Sequence, residues 1–200
     1  MRGDKGKIKR VRQYIPYDSN HSVLGAAGVS AGAHTGVPVQ QEMGAFGMVG
    51  LLMAAAGDMV NILQPVPHDL NVLHPVGVRV VYQTASATAA DTITWIVLQD
   101  AIAAGAALAV GTTALDTPIG QTTVTGVAEA MELSPRGVIN GATFTEAHVT
   151  GPAFISWNVE MDAFAAGLTE DKIYLGLLID YMPKTHEGSS LTYNGDHNVY

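Results

Sequence analysis

In the run Phe154-Ile-Ser-Trp-Asn-Val-Glu-Met161, side chains alternate: Ile155, Trp157, Val159 and Met161 fall on one side, Phe154, Ser156, Asn158 and Glu160 on the other. Successive side chains of an extended chain point to opposite faces, so period two with one apolar face predicts a half-buried strand. The same reading extends in both directions. Lys172–Tyr181 is a second strand, closed by Pro183. Thr92–Leu98 is a third, with a continuous apolar run from Trp95 to Leu98 that predicts burial on both faces near its end. Val76–Tyr82 is β-branched and ends in an aromatic ring. The small polar stretch Thr84–Asp91 reads as the turn that joins these last two in a hairpin. Met59–Leu63 is a short strand stopped by Pro65 and Pro67. Ser134–Ile139 is a turn and a short strand. Gln121–Leu133 fits strand better than helix. Asp100–Ala109 reads as one or two helical turns and Leu168–Asp171 as one.

Seven or eight short strands between Gly and Pro turns predict an all-β fold, a jelly-roll-like β-sandwich with an extended N-terminal arm. Composition divides the chain into three parts. Residues 1–57 are the arm and a Gly/Ala-rich segment, 58–184 the sandwich, and 185–200 a polar C-terminal tail. Met43–Ala56, inside the first part, reads as a short buried helix or a flexible apolar segment. It falls short of the roughly 20 residues that span a bilayer, and no signal-peptide core follows the basic start. Both point to a chain made and used in solution. Only 14% of the 200 residues are charged while 48% are hydrophobic. A surface so poor in charge marks contact with other subunits.

The sequence carries no catalytic signature. There is no cysteine, hence no disulfide, thiolate nucleophile or zinc-thiolate site. No P-loop, dinucleotide fingerprint or nucleophile elbow is present. The seven histidines include no pair at ligand spacing. His68 and His74, six apart, are the nearest approach and read as hydrogen-bonded loop residues. Carboxylate pairs occur at Glu129/Glu132, Glu160/Asp162 and Glu170/Asp171. Glu160 and Asp162, two apart on a strand, could serve a glycosidase or hold calcium, but a solvated strand face explains them more simply. Arg2-Gly3-Asp4 at the terminus reads as a chance tripeptide. No catalytic, cofactor-binding or metal residue is assigned.

Charge is distributed unevenly. The first twelve residues hold Arg2, Lys5, Lys7, Lys9, Arg10 and Arg12 against Asp4, a net +5, while residues 13–200 hold four bases and seventeen acids, a net −13. These six bases are the candidate partner-binding residues. An acidic body repels nucleic acid, and no aromatic residue precedes Tyr14 to stack on bases. The acidic body of a neighbouring subunit suits the arm better, with a solvated tail as the alternative.

The stretches HPVGVRVVYQTASATAADTITWIVLQDAI (74–102), SPRGVING (134–141) and LTEDKIYLGLLIDYMPK (168–184) resemble small all-β structural proteins of tailed bacteriophages. These are virion proteins of the kind that decorate or cement a capsid. The resemblance implies a non-enzymatic subunit on the capsid surface, assembled in the host cytoplasm. It further implies copies of the chain itself, as a homotrimer, and the major capsid protein as partners. It carries over no cofactor and no functional residue. Two alternatives stay open. One is a shell-forming capsid protein. The other is a carbohydrate-binding β-sandwich with Trp95, Trp157, Tyr82 and Tyr174 as sugar platforms and Glu160 and Asp162 as its acids.

Overall fold

A computed structural model describes residues 10–17, 22–24, 39–43, 48–84, 91–107, 111–127, 130–140, 143–166, 168 and 172–184. They form a jelly-roll-like sandwich of two antiparallel sheets. One sheet contains β1 (Val11–Pro16), β3 (Val39–Met43), β4 (Met48–Leu52), β6 (Val76–Thr84), β10 (Met131–Leu133), β11 (Gly137–Ile139) and β13 (Lys172–Tyr181). The other contains β2 (Ser22–Leu24), β5 (Asp58–Pro65), β7 (Thr92–Ile102), β8 (Thr113–Ala114), β9 (Gly120–Thr123) and β12 (Phe154–Phe164). We call them the first and second sheets. The chain passes repeatedly from one to the other, so most pairings are distant in sequence. Among the described residues no helix is long and apolar enough to cross a membrane.

Strand β12 is the centre of the second sheet, flanked by β5 and β7. Its expected inward set, Ile155, Trp157, Val159 and Met161, lies in the core. In the first sheet β13 is paired with β6 on one side and with both β1 and β4 on the other. Between the sheets Tyr82 of β6 meets Trp95 of β7 at 5.5 Å between ring centres, and Trp95 meets Tyr174 of β13 at 6.5 Å. Each of these large side chains contributes about 1.5–3 kcal/mol by leaving water. Trp157 donates its indole N–H to Gln64 Oε1 at 2.9 Å, which satisfies its one polar atom.

Several expectations are corrected. Val76–Tyr82 and Thr92–Leu98 are not a hairpin: β6 and β7 lie in different sheets. Tyr82 and Trp95 face each other across the core, which burial rewards more than adjacency along one ladder. Asp100–Ile102 is not helical but completes β7, because Ala101 and Ile102 pair with Ile155 and Phe154 of β12. Pairing there overrides alanine's helical preference. Met48–Leu52 is a strand rather than a helix, held by Leu51↔Tyr174 and Leu52↔Ile173 pairing. A five-residue helix, α1 (Glu146–Thr150), stands where none was expected, and His148 Nδ1 accepts the Thr145 backbone N–H at 3.0 Å at its start. The expected turn at Leu168–Asp171 extends beyond the described residues.

The division at residue 58 is also not a structural boundary. Strands β1 to β4 all belong to the sheets. Val11, Ile15 and Tyr17 pack on the core, so the arm's apolar alternation anchors it. The close approach of β1 depends on Gly176, whose φ of 154° accompanies a register shift in β13. A Cβ there would strike Ile15 O and the Tyr14 ring.

Candidate anion-docking face

Alternation decides what the outer side of the first sheet presents. In β6 the core takes Val76, Val78, Val80 and Tyr82, which leaves Gly77, Arg79 and Val81 outward. In β1 Val11 and Ile15 face in, so Arg12 and Tyr14 face out. In β13 Ile179 and Tyr181 face in, so Leu178 and Asp180 face out. The cross-strand partners Arg12↔Asp180 and Asp180↔Gly77 align these residues in one row. Arg136, from the turn between β10 and β11, closes the group.

Four of the chain's five arginines therefore meet on one face: Arg10, Arg12, Arg79 and Arg136. Asp180 is the single acid among them. Arg136 Nε donates to both Asp180 carboxylate oxygens at 3.0 and 3.1 Å, and its Nη2 lies 2.9 Å from Oδ1. Arg10 Nε reaches Asp180 Oδ2 at 3.2 Å, and its Nη2 donates to the carbonyls of Pro75 and Asp180. Arg79 donates to the Ser134 carbonyl at 2.9 Å. Ser134 is itself tied to Val80 by its backbone N–H and its Oγ. Arg79 thus fixes the turn that delivers Arg136. Gly77 makes room: a Cβ there would overlap Asp180 Oδ1 and the Arg136 guanidinium. Arg12 makes no hydrogen bond or ion pair among the described residues and is exposed.

The result is a hollow of about 340 Å³ walled by Arg12, Arg79, Arg136 and Asp180, with Leu133 and Leu178 as its apolar part. Burial alone would raise the Asp180 pKa. Hydrogen bonds and charge from Arg136 and Arg10 outweigh it and hold the carboxyl below its usual range. Four guanidinium groups against one carboxylate leave a local excess of three positive charges on a body that is otherwise acidic. Planar, forked guanidinium donors match carboxylates and other oxyanions.

Of the six bases singled out in the sequence, Arg10 and Arg12 belong to this face, while Arg2, Lys5, Lys7 and Lys9 lie outside the described residues. Arg79 and Arg136 were missed. Their signal was present: Arg79 is the one charge in the run Val76–Tyr82, two residues from a glycine, so it had to stand outward beside open space.

The other candidates fall elsewhere. Trp95, Trp157, Tyr82 and Tyr174 are at most 1% exposed and are not sugar platforms, because they are the aromatic core between the sheets. Glu132 is buried and accepts from Tyr82 Oη at 3.1 Å and from Thr125 Oγ1 at 3.1 Å. It is a structural brace, and its partner Glu129 lies outside the described residues, as do Glu170 and Asp171. Burial and the charge of Glu132 push the Tyr82 phenol well up. Glu160 and Asp162 stay together at the end of β12, where burial first and the Asp162 charge second raise the Glu160 pKa. No group of three or more potential metal ligands exists among the described residues. His68 lines a second hollow of about 370 Å³ with Gln13, Asp69 and Tyr181, while His74 is exposed outside it.

No protein-family model matches the chain, and no curated protein is significantly similar to it. Among solved structures, a xylan-binding module CBM15 aligns at TM-score 0.47 and 10% identity, over 88% of this chain and 100% of that one. A carbohydrate-binding module CBM36 in complex with calcium and xylotriose aligns at 0.38 and 12%, over 86% and 98%. The cleaved adhesin domain of Lys-gingipain from Porphyromonas gingivalis W83 aligns at 0.37 and 9%, over 88% and 99%. Similarity this slight carries no functional implication for this chain.

Proposed function

We propose that the chain is a non-enzymatic assembly protein, a capsid decoration or cement subunit that docks through the arginine face of its first sheet on an acidic protein surface. One observation carries this reading: four of five arginines converge on one outer sheet face of an otherwise acidic chain. Such a face steers and orients an acidic partner. The phage-head setting is supported by the resemblance of 74–102, 134–141 and 168–184 to virion structural proteins. A low-charge surface suits a subunit that lives among neighbours.

The test is binding of the purified chain to immobilised poly-glutamate and, in parallel, its mass by light scattering, from about 0.05 to about 0.5 M salt, a range that shortens the screening length severalfold. Binding that falls with salt and is lost in Arg12→Glu supports the reading. Salt-independent behaviour with no response to Arg12→Glu refutes it.

A carbohydrate-binding sandwich is the second reading. The hollow of about 370 Å³ formed by Gln13, His68, Asp69 and Tyr181 with Pro65, Val66 and Pro67 favours it, being open and lined by both polar and apolar groups. Glycan-array binding that is lost in Gln13→Ala and kept in Arg12→Glu would establish it over the first.

A further inference from the structure

The carboxylates of this chain are unequally engaged. Asp100 accepts from Thr112 and Thr113. Asp116 accepts the Asn140 backbone N–H. Glu132 holds Tyr82 and Thr125, Glu146 pairs with Lys184, and Asp69 takes the Tyr181 hydroxyl. Glu160 and Asp162 differ. They lie two residues apart near the end of β12, where the pairing with β7 shifts register between Met161 and Ala163, close enough for the Asp162 charge to act on Glu160. They make no hydrogen bond or ion pair among the described residues, and Asp162 is exposed.

We infer that the arginine face of one copy docks on the Glu160–Asp162 end of the second sheet of another copy, with Arg12 as the guanidinium that reaches across. This rests on the assembly function proposed for the chain and names its partner as a second copy. Three observations converge. Arg12 is an unengaged cation beside a hollow with Leu133 and Leu178 in its wall, and the two acids are an unengaged anionic pair. The Glu160 carboxyl is held above its usual pKa by its burial and its like-charged neighbour, a strain that an incoming cation relieves. Met131 at 70% and Leu133 at 46% exposure stand beside the hollow and supply apolar contact around the charges.

Alternation places Glu160 opposite the core set of β12, on the outer side of the second sheet, while the arginines lie on the outer side of the first. The two patches are on opposite sides of the sandwich. The contact therefore joins unlike surfaces, and it builds closed rings or open rows rather than two-fold dimers.

The experiment is sedimentation velocity of the full chain at low salt, with thermal melts to confirm folding. Arg12→Glu alone and Asp162→Lys alone should each weaken self-association by about tenfold or more, because each turns an attractive pair into a like-charge contact. Arg12→Glu combined with Asp162→Lys should restore it, because the pair is regenerated with reversed sign. Failure of the double variant to recover, or an unchanged association in Asp162→Lys, overturns the inference. If Arg12→Glu abolishes poly-glutamate binding while self-association of both single variants stays at the wild-type level, the copy-to-copy contact is refuted and the assembly reading stands. If wild type neither self-associates nor binds poly-glutamate, both fall.

Discussion

Gly77→Ala tests how the arginine face is built. Gly77 lies opposite Asp180 across the β6–β13 ladder. The added methyl group overlaps Asp180 Oδ1 and the Nε and Cζ of Arg136, so the Arg136 side chain must leave. It then gives up its Nε bonds at 3.0 and 3.1 Å and the Nη2 contact at 2.9 Å. Hydrogen bonds to charged groups contribute about 1.5–3 kcal/mol when buried, and exposed pairs about 0.2–1. The two side chains keep 32% and 19% of their surface in water, which places this pair at about 1–2 kcal/mol by the same measures. Alanine recovers about 0.4–1 kcal/mol by restricting the unfolded chain. The net loss should fall between about 0 and about 1.6 kcal/mol, read from urea unfolding with unchanged slope. In an Arg136→Ala background there is no guanidinium to displace. The cost of Gly77→Ala should then shrink by about 1 kcal/mol, a coupling expected only of residues in contact. Strict additivity of the two substitutions would sink the reasoning.

The same face should respond to acid. The folded pKa of Asp180 lies below its unfolded value of 3.8, so its contribution is complete above that value and is lost as pH falls through the folded pKa. The stability gap between wild type and Asp180→Asn should close in acid, and a gap independent of pH would contradict the pairing. Glu160 has the opposite sign: its folded pKa is raised above 4.5, so its carboxylate opposes folding at neutral pH and not in acid. Glu160→Gln should raise the thermal midpoint of unassociated protein near neutral pH and leave it unchanged well below pH 4.5. Glu132→Gln replaces an acceptor-only brace and should cost about 1–3 kcal/mol in chemical unfolding. Trp157→Phe leaves Gln64 Oε1 without its donor and opens space in the core, for a loss of about 1–3 kcal/mol by the same assay.

The sequence made the strands legible both where one face alone was apolar, as in 154–161, and where the apolar run was continuous, as in 172–181. Lys172–Tyr181 coincides with β13, and the alternation of 154–161 identifies the inward set of β12. Partners were illegible. Nothing in Val76–Tyr82 or Thr92–Leu98 says that the two strands enter different sheets, because alternation fixes a face and not a neighbour. Alanine-rich Asp100–Ala109 misled for a related reason: the extended form of its first residues, Asp100–Ile102, is imposed by β12. The arm was legible as charge and misread as architecture. Val11, Ile15 and Tyr17 share one side of an extended chain, a pattern that a free arm has no use for. The face itself required three separate segments, at 10–12, 77–79 and 134–136: β13 pairs with both β1 and β6, and β10 and β11 pair with β6 to bring in the third.

That pairing changes the energetics of docking. An arm that orders only on binding gives up about 1–2 kcal/mol per residue in backbone entropy. Six residues of β1 are already fixed in register on β13, and by that measure roughly 6–12 kcal/mol of ordering belongs to folding rather than to association. Arg10 is fixed further by the Pro75 and Asp180 carbonyls. Asp180 therefore does more than neutralise charge: it holds two guanidinium groups at set positions, while Arg12 beside them stays free to engage. A partner meets a rigid, positively biased surface, so its affinity depends on charge complementarity and fit more than on induced order. Weakening β1 at a distance should then lower docking without touching an arginine. Gly176→Ala, which crowds Ile15 and Tyr14, is the substitution that separates a pre-ordered arm from one that binds as a flexible tail. A flexible tail would keep its poly-glutamate binding unchanged in Gly176→Ala. A pre-ordered β1 loses binding in step with its own stability.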